Sequence, residues 1–333
     1  MAEQRFVVVR LGSLGDIVHT FPAVAALRES FPQSNIVWLT HPRWTHLVTS
    51  SGLATEIWPA DSRDLRSVRE VIRKLRSQRW DAAVDYQGLW KAAFLPFFGG
   101  IRKRIGFSSK SVREYGVPIL YTDRVDANSA HVAEQNGELS VCADAQRGIA
   151  TFSLSVNESD AAQVKRDLDH KGITRYVVLS PGGGWRSKCW PAERFGVLAE
   201  RIERETGLRC VVNYGPGERE LANSVLVHSG QARAIAYDGE LGPLMALLRN
   251  AECLIGGDTG PLHLAVALGT PVVALFGPTD PRRNGPFPPG DLVLRSANAS
   301  TTYSRTNETD SSLLALSVDA VFDAVKTRLG VRA

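Results

Sequence analysis

Phe6 to Leu11 (FVVVRL) is an unbroken β-branched and apolar run, closed at once by Gly12-Ser13-Leu14-Gly15. This pattern predicts a buried parallel strand, a glycine turn and a helix beginning near Asp16. Asn35 to Thr40 (NIVWLT) repeats the strand pattern. Ser62 to Arg79 instead places Leu65, Val68, Val71, Ile72 and Leu75 at helical spacing against seven basic residues. Asp81 to Asp85 predicts a further strand, and Ala130 to Val141 and Asn157 to Lys171 predict helices on either side of a weakly patterned stretch, Ala143 to Ser155.

Beyond that stretch the alternation restarts. Strands are predicted at Tyr176 to Ser180, Cys210 to Tyr214, Cys253 to Ile255 and Val272 to Phe276. Helices are predicted at Ala192 to Thr206, from Glu218 onward, at Glu240 to Asn250 and at Pro261 to Leu268, with a last one from about Leu313. Strands alternating with helices of 10 to 15 residues mean βαβ units, parallel sheets and right-handed crossovers, so two such runs predict an α/β chain of two doubly wound domains. The boundaries expected are 1–155, 156–310, and a terminal helical segment 311–333 that packs back on the first domain. In sheets of this kind ligands sit beyond the carboxyl ends of the strands, which directs attention to the loops that follow them.

Composition narrows the class. The 333 residues are 44% hydrophobic and 22% charged, an ordinary globular balance that excludes disorder and fibrous repeats. Mostly apolar stretches such as Ile17 to Leu27 fall short of the ~20 residues that span a bilayer, and the first residues lack the apolar core of a signal peptide. A cytoplasmic protein is expected. Cys142, Cys189, Cys210 and Cys253 share no metal-ligand spacing and read as reduced, mostly buried thiols. Residues 1–150 hold 19 Lys and Arg against 15 Asp and Glu, while residues 151–333 hold 20 of each. That excess is too small for a nucleic-acid binder but suits an acidic or phosphorylated partner.

Four loops after strands carry chemistry. In Gly12-Ser13-Leu14-Gly15-Asp16, amides at a helix start and a carboxylate face the sheet's edge; Asp16 reads either as a helix cap or as a functional acid. In Ser180 to Pro191, Gly182, Gly183 and Gly184 precede Arg186 and Lys188, a composition suited to anionic oxygen. Tyr214-Gly215-Pro216-Gly217-Glu218 puts a carboxylate where a ribose could be held. The most specific is Ile255 to Ala265, in which Asp258-Thr259-Gly260-Pro261 opens a helix with His263 one turn inside, offering free amides and a hydroxyl to a diphosphate. Neither a complete dinucleotide glycine fingerprint nor a Walker pattern is present.

Leu11 to Thr20 (LGSLGDIVHT), Asp85 to Leu89 (DYQGL), Lys188 before Trp190-Pro191, Gly215-Pro216-Gly217-Glu218, Asp258 to His263 (DTGPLH) and Phe276 to Pro281 (FGPTDP) together resemble the bacterial ADP-heptose:lipopolysaccharide heptosyltransferases, glycosyltransferase family 9, in order over about residues 5–295. The resemblance implies a GT-B architecture of two Rossmann-like domains facing across a cleft, acceptor on the first and nucleotide sugar on the second. It implies an inverting transfer of heptose from ADP-heptose to the inner core of lipopolysaccharide, with no cofactor and no metal. The partners implied are ADP-heptose and an acidic lipopolysaccharide core, met at the cytosolic face of the inner membrane.

Residue by residue, the resemblance assigns Asp16 as base, Lys188 and the Asp258-Thr259-Gly260-Pro261 turn to the diphosphate, Glu218 to the ribose and His263 to support of the donor site, beside Gly182. Ser13, Gly15, Arg102, Lys103, Arg104 and His131 are expected on the acceptor side, and Asp85 with Gln87-Gly88-Leu89 is expected to shape it. Many relatives carry cysteines before the last helix, whereas Ser296 to Ser312 has none, so nothing cysteine-based transfers. Asp167-Leu168-Asp169, a sham metal motif, reads as helix surface. The rival readings are a related transferase using another nucleotide sugar, a nicotinamide dehydrogenase, and a sugar-nucleotide binder without turnover.

Overall fold

The computed structural model describes residues 4–302, 306 and 308–330. The chain divides into two compact units, Met1–Ser155 and Val156–Ala333. The first holds strands β1 (Arg5–Val9), β2 (Asn35–Thr40), β3 (Glu56–Pro59), β4 (Ala82–Asp85), β5 (Arg104–Phe107) and β6 (Asp123–Val125). Its helices are α1 (Leu14–Val18), α2 (Phe21–Ser30), α3 (Thr45–Ser51), α4 (Leu65–Arg76), α5 (Trp90–Phe98) and α6 (Val132–Cys142). The strands form one parallel sheet in the order β3-β2-β1-β4-β5-β6, with Val7 paired to Val37 on one side and Ala83 on the other.

The second unit begins with α7 (Glu158–Asp169) and builds its own parallel sheet, β12-β11-β10-β7-β8-β9. In chain order its elements are β7 (Tyr176–Ser180), α8 (Ala192–Thr206), β8 (Arg209–Asn213), α9 (Arg219–Val227), β9 (Ile235–Tyr237), α10 (Leu241–Arg249), β10 (Cys253–Gly257) and α11 (Gly260–Ala267). They continue with β11 (Val272–Phe276), α12 (Pro281–Asn284), β12 (Leu292–Arg295), α13 (Ser311–Leu314) and α14 (Val318–Leu329).

The central strands explain their own position. Val7, Val8, Val9, Val177, Val178, Leu179, Leu254 and Ile255 have no exposed surface, as a strand covered by helices on both faces requires. Amphipathic α8 buries Phe195, Leu198, Ala199 and Ile202 against that sheet and ends at Gly207 in the left-handed region. Each sheet is wound outward in one direction and then restarted beside its first strand, so the order reverses between β1 and β4 and between β7 and β10. Those reversals open a crevice at the carboxyl ends of the flanking strands.

Three expectations change. The strands β3, β5, β6, β9 and β12 are three to four residues long. They are too short to show a period, and one residue of mismatch erases the signal. The helix expected near Asp16 starts at Leu14, with Ser13 as its cap. The terminal helix, expected on the first domain, packs on the second: α14 lies against α8, β10, β11 and β12. Its approach is fixed by Trp190 Nε1, which donates to the Leu316 carbonyl at 3.1 Å, and by Arg194, which donates to the carbonyls of Leu314 and Leu316. Val321, Phe322 and Val325 complete the core built by α8, and that apolar face fixes the helix there. Of the Ser/Thr/Asn-rich segment 296–312, residues 303–305 and 307 lie outside the described residues.

Candidate active site

In the first unit, the loops after β1 and β4 meet at the reversal. Arg10, almost fully buried, donates from Nη1 to the Tyr86 carbonyl, and the Leu11 amide donates to Gln87 Oε1 at 2.7 Å. Arg10 Nη2 lies 2.8 Å from Asp16 Oδ1. The other carboxylate oxygen, Oδ2, accepts from both the amide and the hydroxyl of Ser13 at 3.0 Å. Asp16 therefore completes the capping box opened by Ser13 and is a presented carboxylate at once, since its side chain keeps 32% of its surface against 7% for Arg10. Burial pushes its carboxyl up, but Arg10, the two Ser13 bonds and the more distant Arg113 outweigh this and hold it below the usual range. A side chain at Gly12 would place Cβ 2.9 Å from Trp44 Nε1, on a backbone with φ of +155°, so this turn needs glycine.

Asp85 closes the neighbouring turn from below. Its Oδ1 accepts from the amides of Gln87 and Gly88 and its Oδ2 from the Tyr121 hydroxyl at 2.7 Å. Burial dominates these bonds and raises its pKa to about 6. It shapes the turn from inside and is not exposed to a ligand. His131 caps α6 by accepting from the Ala133 amide, with its ring edge-on to His19 at 5.1 Å, so both imidazoles are buried. Gly15 lies in the first turn of α1.

Arg102, Lys103 and Arg104 are not brought to Asp16. They enter β5, and Arg104 pairs in register with Ala83 near the start of β4, whereas Asp85 ends that strand. They therefore stand at the amino rim of a parallel sheet whose carboxyl rim carries Asp16. Arg104 is committed to the carbonyls of Leu120, Ile101 and Arg102, and Lys103 pairs with Asp144 at 3.0 Å. Besides Arg10, the cation whose charge reaches Asp16 is Arg113, from the loop after β5. Without a recognisable β5, neither rim could be assigned from the sequence.

The second unit brings its predicted residues together. Lys188 Nζ lies 2.6 Å from Asp258 Oδ2, and His263 Nε2 lies 3.0 Å from Asp258 Oδ1. Flanked by both, the Asp258 carboxyl is held far below its usual value although burial alone would raise it. Lys188 also sits 4.5 Å over the Trp185 ring, while buried Trp190, two residues on, anchors its loop in the core. Thr259 precedes α11 with extended backbone angles, and its hydroxyl is buried with no hydrogen-bond partner among the described residues. Gly260 and Pro261 form the first turn of α11.

Glu218 ties this centre to the next loop. Its Oε1 accepts from the Gly183 amide at 3.1 Å and its Oε2 from the Gly215 amide at 2.8 Å. A Cβ on Gly182 would fall 2.3 Å from Oε2, and one on Gly183 would fall 3.2 Å from the Thr259 methyl. The glycines thus let three loops converge. Alongside them runs a groove of 380 Å³, lined by Gly183, Arg186, Trp190, Glu193, Glu218 and Ser224 among others, a size that suits a small ligand. A cation and a buried hydroxyl without a partner among the described residues, set at the start of a helix, form an arrangement able to receive an anion.

Among the described residues no group of three or more His, Cys, Asp or Glu is placed to hold a metal ion. Asp167 accepts from the Tyr237 hydroxyl and Asp169 pairs with Lys165, both on α7. The four thiols are free, Cys210 and Cys253 buried but Cys142 and Cys189 only half-buried. No helix among the described residues is long and apolar enough to cross a membrane.

The model of glycosyltransferase family 9 (heptosyltransferase) matches residues 68–312. Lipopolysaccharide heptosyltransferase 1 of Pseudomonas aeruginosa is 27% identical over 88% of this chain and 84% of its own length. Lipopolysaccharide heptosyltransferase 3 of Escherichia coli is 23% identical over 80% of this chain and 81% of its own. Among solved structures, a family 9 glycosyl transferase from Veillonella parvula superposes with a TM-score of 0.84 at 23% identity, covering 99% of this chain and 98% of that one. E. coli heptosyltransferase WaaC with ADP gives 0.75 at 23% identity over 98% and 100%. The fold is that of the GT-B transferases, and the chain belongs to glycosyltransferase family 9, the heptosyltransferases.

Proposed function

We propose that this enzyme transfers a heptose from ADP-heptose to the inner core of lipopolysaccharide, Kdo-lipid A or an already heptosylated core, with inversion at the anomeric carbon. The Lys188–Asp258 pair beside the unpartnered Thr259 hydroxyl carries the reading, because it presents a cation and free donors where a diphosphate would leave. The ionised Asp16 carboxylate takes the proton of the acceptor hydroxyl, whose oxygen bonds to the anomeric carbon. The bond from that carbon to the diphosphate breaks, and ADP departs with its electron pair. Lys188 and the Gly260 amide receive the added charge. Glu218 exchanges its two amide partners for the ribose hydroxyls, while His263 keeps Asp258 oriented towards Lys188.

The relatives named above act on lipopolysaccharide by their names, and a lipid-linked acceptor would bring the enzyme to the membrane face that bears it. The test is ADP release measured with donor alone and then with donor plus purified core acceptor. Release that requires both, with ADP-heptose preferred over ADP-glucose, supports the reading. Preference for another nucleotide sugar would reassign the donor, and tight ADP binding without acceptor-dependent release would leave a binder without turnover.

A further inference from the structure

Helix α5 is built inside out. Its inward face carries Ala92, Ala93, Leu95 and Pro96, while Phe94, Phe97 and Phe98 keep 38%, 40% and 46% of their surface exposed. A surface helix of a globular protein ordinarily shows charged residues there. The rings form a continuous row: Trp90 to Phe94 at 5.4 Å, Phe94 to Phe98 at 5.6 Å, Phe97 to Phe98 at 5.3 Å. The turn that follows Gly116 packs on α5 and adds Ile119, 72% exposed, with Tyr115, 94% exposed, just before it. An aromatic patch of this kind on one unit marks a contact surface.

The surrounding charge selects the partner. Lys91 lies on the exposed face of α5 itself, Arg102 is exposed just beyond it, and the Arg104 guanidinium stands 5.4 Å over Phe97. Adjacent α4 exposes Arg66, Arg69, Arg73 and Arg76, and Arg76 Nε donates to the Phe98 carbonyl at 2.8 Å. The acidic side chains nearby are engaged: Glu70 pairs with Lys74, and Glu114 accepts from the Trp90 amide. Aromatic rings that seat at the headgroup level, ringed by arginines and lysines that reach anionic lipid, are the chemistry of interfacial binding.

We propose that the α5 aromatic face, flanked by the basic faces of α4 and the β5 entry, is a docking surface for an anionic lipid bilayer. Trp90 opens α5 directly after the Gln87-Gly88-Leu89 turn beside the Asp16 loop, so a docked helix holds that loop close to the bilayer plane. The proposal deepens the lipid-linked acceptor reading but assigns membrane affinity to the protein surface itself.

The test is sedimentation of the purified protein with phosphatidylcholine vesicles, with and without phosphatidylglycerol and free of any acceptor. The wild type is expected to sediment with the anionic vesicles and far less with the neutral ones. F94S/F97S/F98S is expected to partition at least about tenfold more weakly while keeping turnover on a deacylated, water-soluble acceptor. Lys91→Glu, on the solvent side of the helix, provides a second variant if the triple change unfolds, and is expected to weaken binding to anionic vesicles alone. A wild type that stays in the supernatant overturns the proposal, as do variants that bind like it. A wild-type dimer converted to a monomer by the triple change, without vesicle binding, would assign the patch to a second copy and equally overturn it. Loss of turnover on the soluble acceptor in the wild type would instead strike the transferase reading, leaving the vesicle result to stand separately.

Discussion

The two units place an ion pair at the same topological position and turn it opposite ways. At the β1/β4 reversal the buried partner is the cation, Arg10, and the presented one is the acid, Asp16. At the β7/β10 reversal the buried partner is the acid, Asp258, at 6% side-chain exposure, and the presented one is the cation, Lys188, at 16%. One rim therefore presents a carboxylate and the other an ammonium. A shared architecture supplies the crevice, and the order in which charge is layered there decides the chemistry.

The comparison breaks most sharply at Asp16. Asp16→Asn keeps the hydrogen-bonding reach towards Ser13 but removes the proton acceptor, so kcat should fall about 10²- to 10⁴-fold with ADP affinity nearly unchanged. Steady-state ADP release and titration calorimetry check the two halves. Near wild-type turnover would reduce Asp16 to a helix cap.

Next comes Lys188→Ala, which deletes the presented cation and leaves Asp258 with His263 alone. A charge-assisted bond of ~1.5–3 kcal/mol is lost to the diphosphate, so ADP should bind about 10- to 100-fold more weakly. Calorimetry that found unchanged ADP affinity would remove the diphosphate from this loop.

Asp85 sharpens the distinction between shaping a site and acting in it. Burial lifts its folded pKa to about 6, above that of a free carboxylate, so the folded state binds the proton more tightly. Stability from this group is full below the unfolded value and is lost as pH rises through that window. Asp85→Asn, neutral throughout, should gain on the wild type by on the order of 1–3 kcal/mol between about pH 4.5 and about pH 7. Urea melts of both proteins at the two pH values measure it, and a constant difference would deny that Asp85 titrates in the fold.

The smallest effect is expected at Lys103. Its pair with Asp144 is exposed and lies on the amino rim, so Lys103→Ala should change ADP affinity, turnover and acceptor KM by less than about twofold and stability by no more than ~1 kcal/mol. A marked rise in acceptor KM would return the basic run at 102–104 to the acceptor side.

Much of the second unit's site was legible because its signals are local. Gly182, Lys188, Glu218 and Asp258-Thr259-Gly260-Pro261-His263 each follow a five-residue strand with a run of three or four apolar residues, and strand-then-glycine spacing states that a loop lies at the carboxyl edge. The first unit was read less well for the converse reason. Its four-residue β5 left residues 101–129 without an address, so the position of Arg102 to Arg104 at the amino rim could not be read and Arg113 was not singled out.

What the sequence determined by itself was the alternation of elements, the two doubly wound sheets and the identity of the charged residues at their loops, all properties of neighbours in the chain. What only the tertiary structure decided was which charge faces outward. Arg10 and Asp16, or Lys188 and Asp258, are oppositely charged pairs in any listing of residues. Their roles separate when β1 packs between β2 and β4 and covers Arg10, and when β10 packs between β7 and β11 and covers Asp258. Burial is set by strands brought together over long sequence separations, and those contacts leave no periodic mark on the chain.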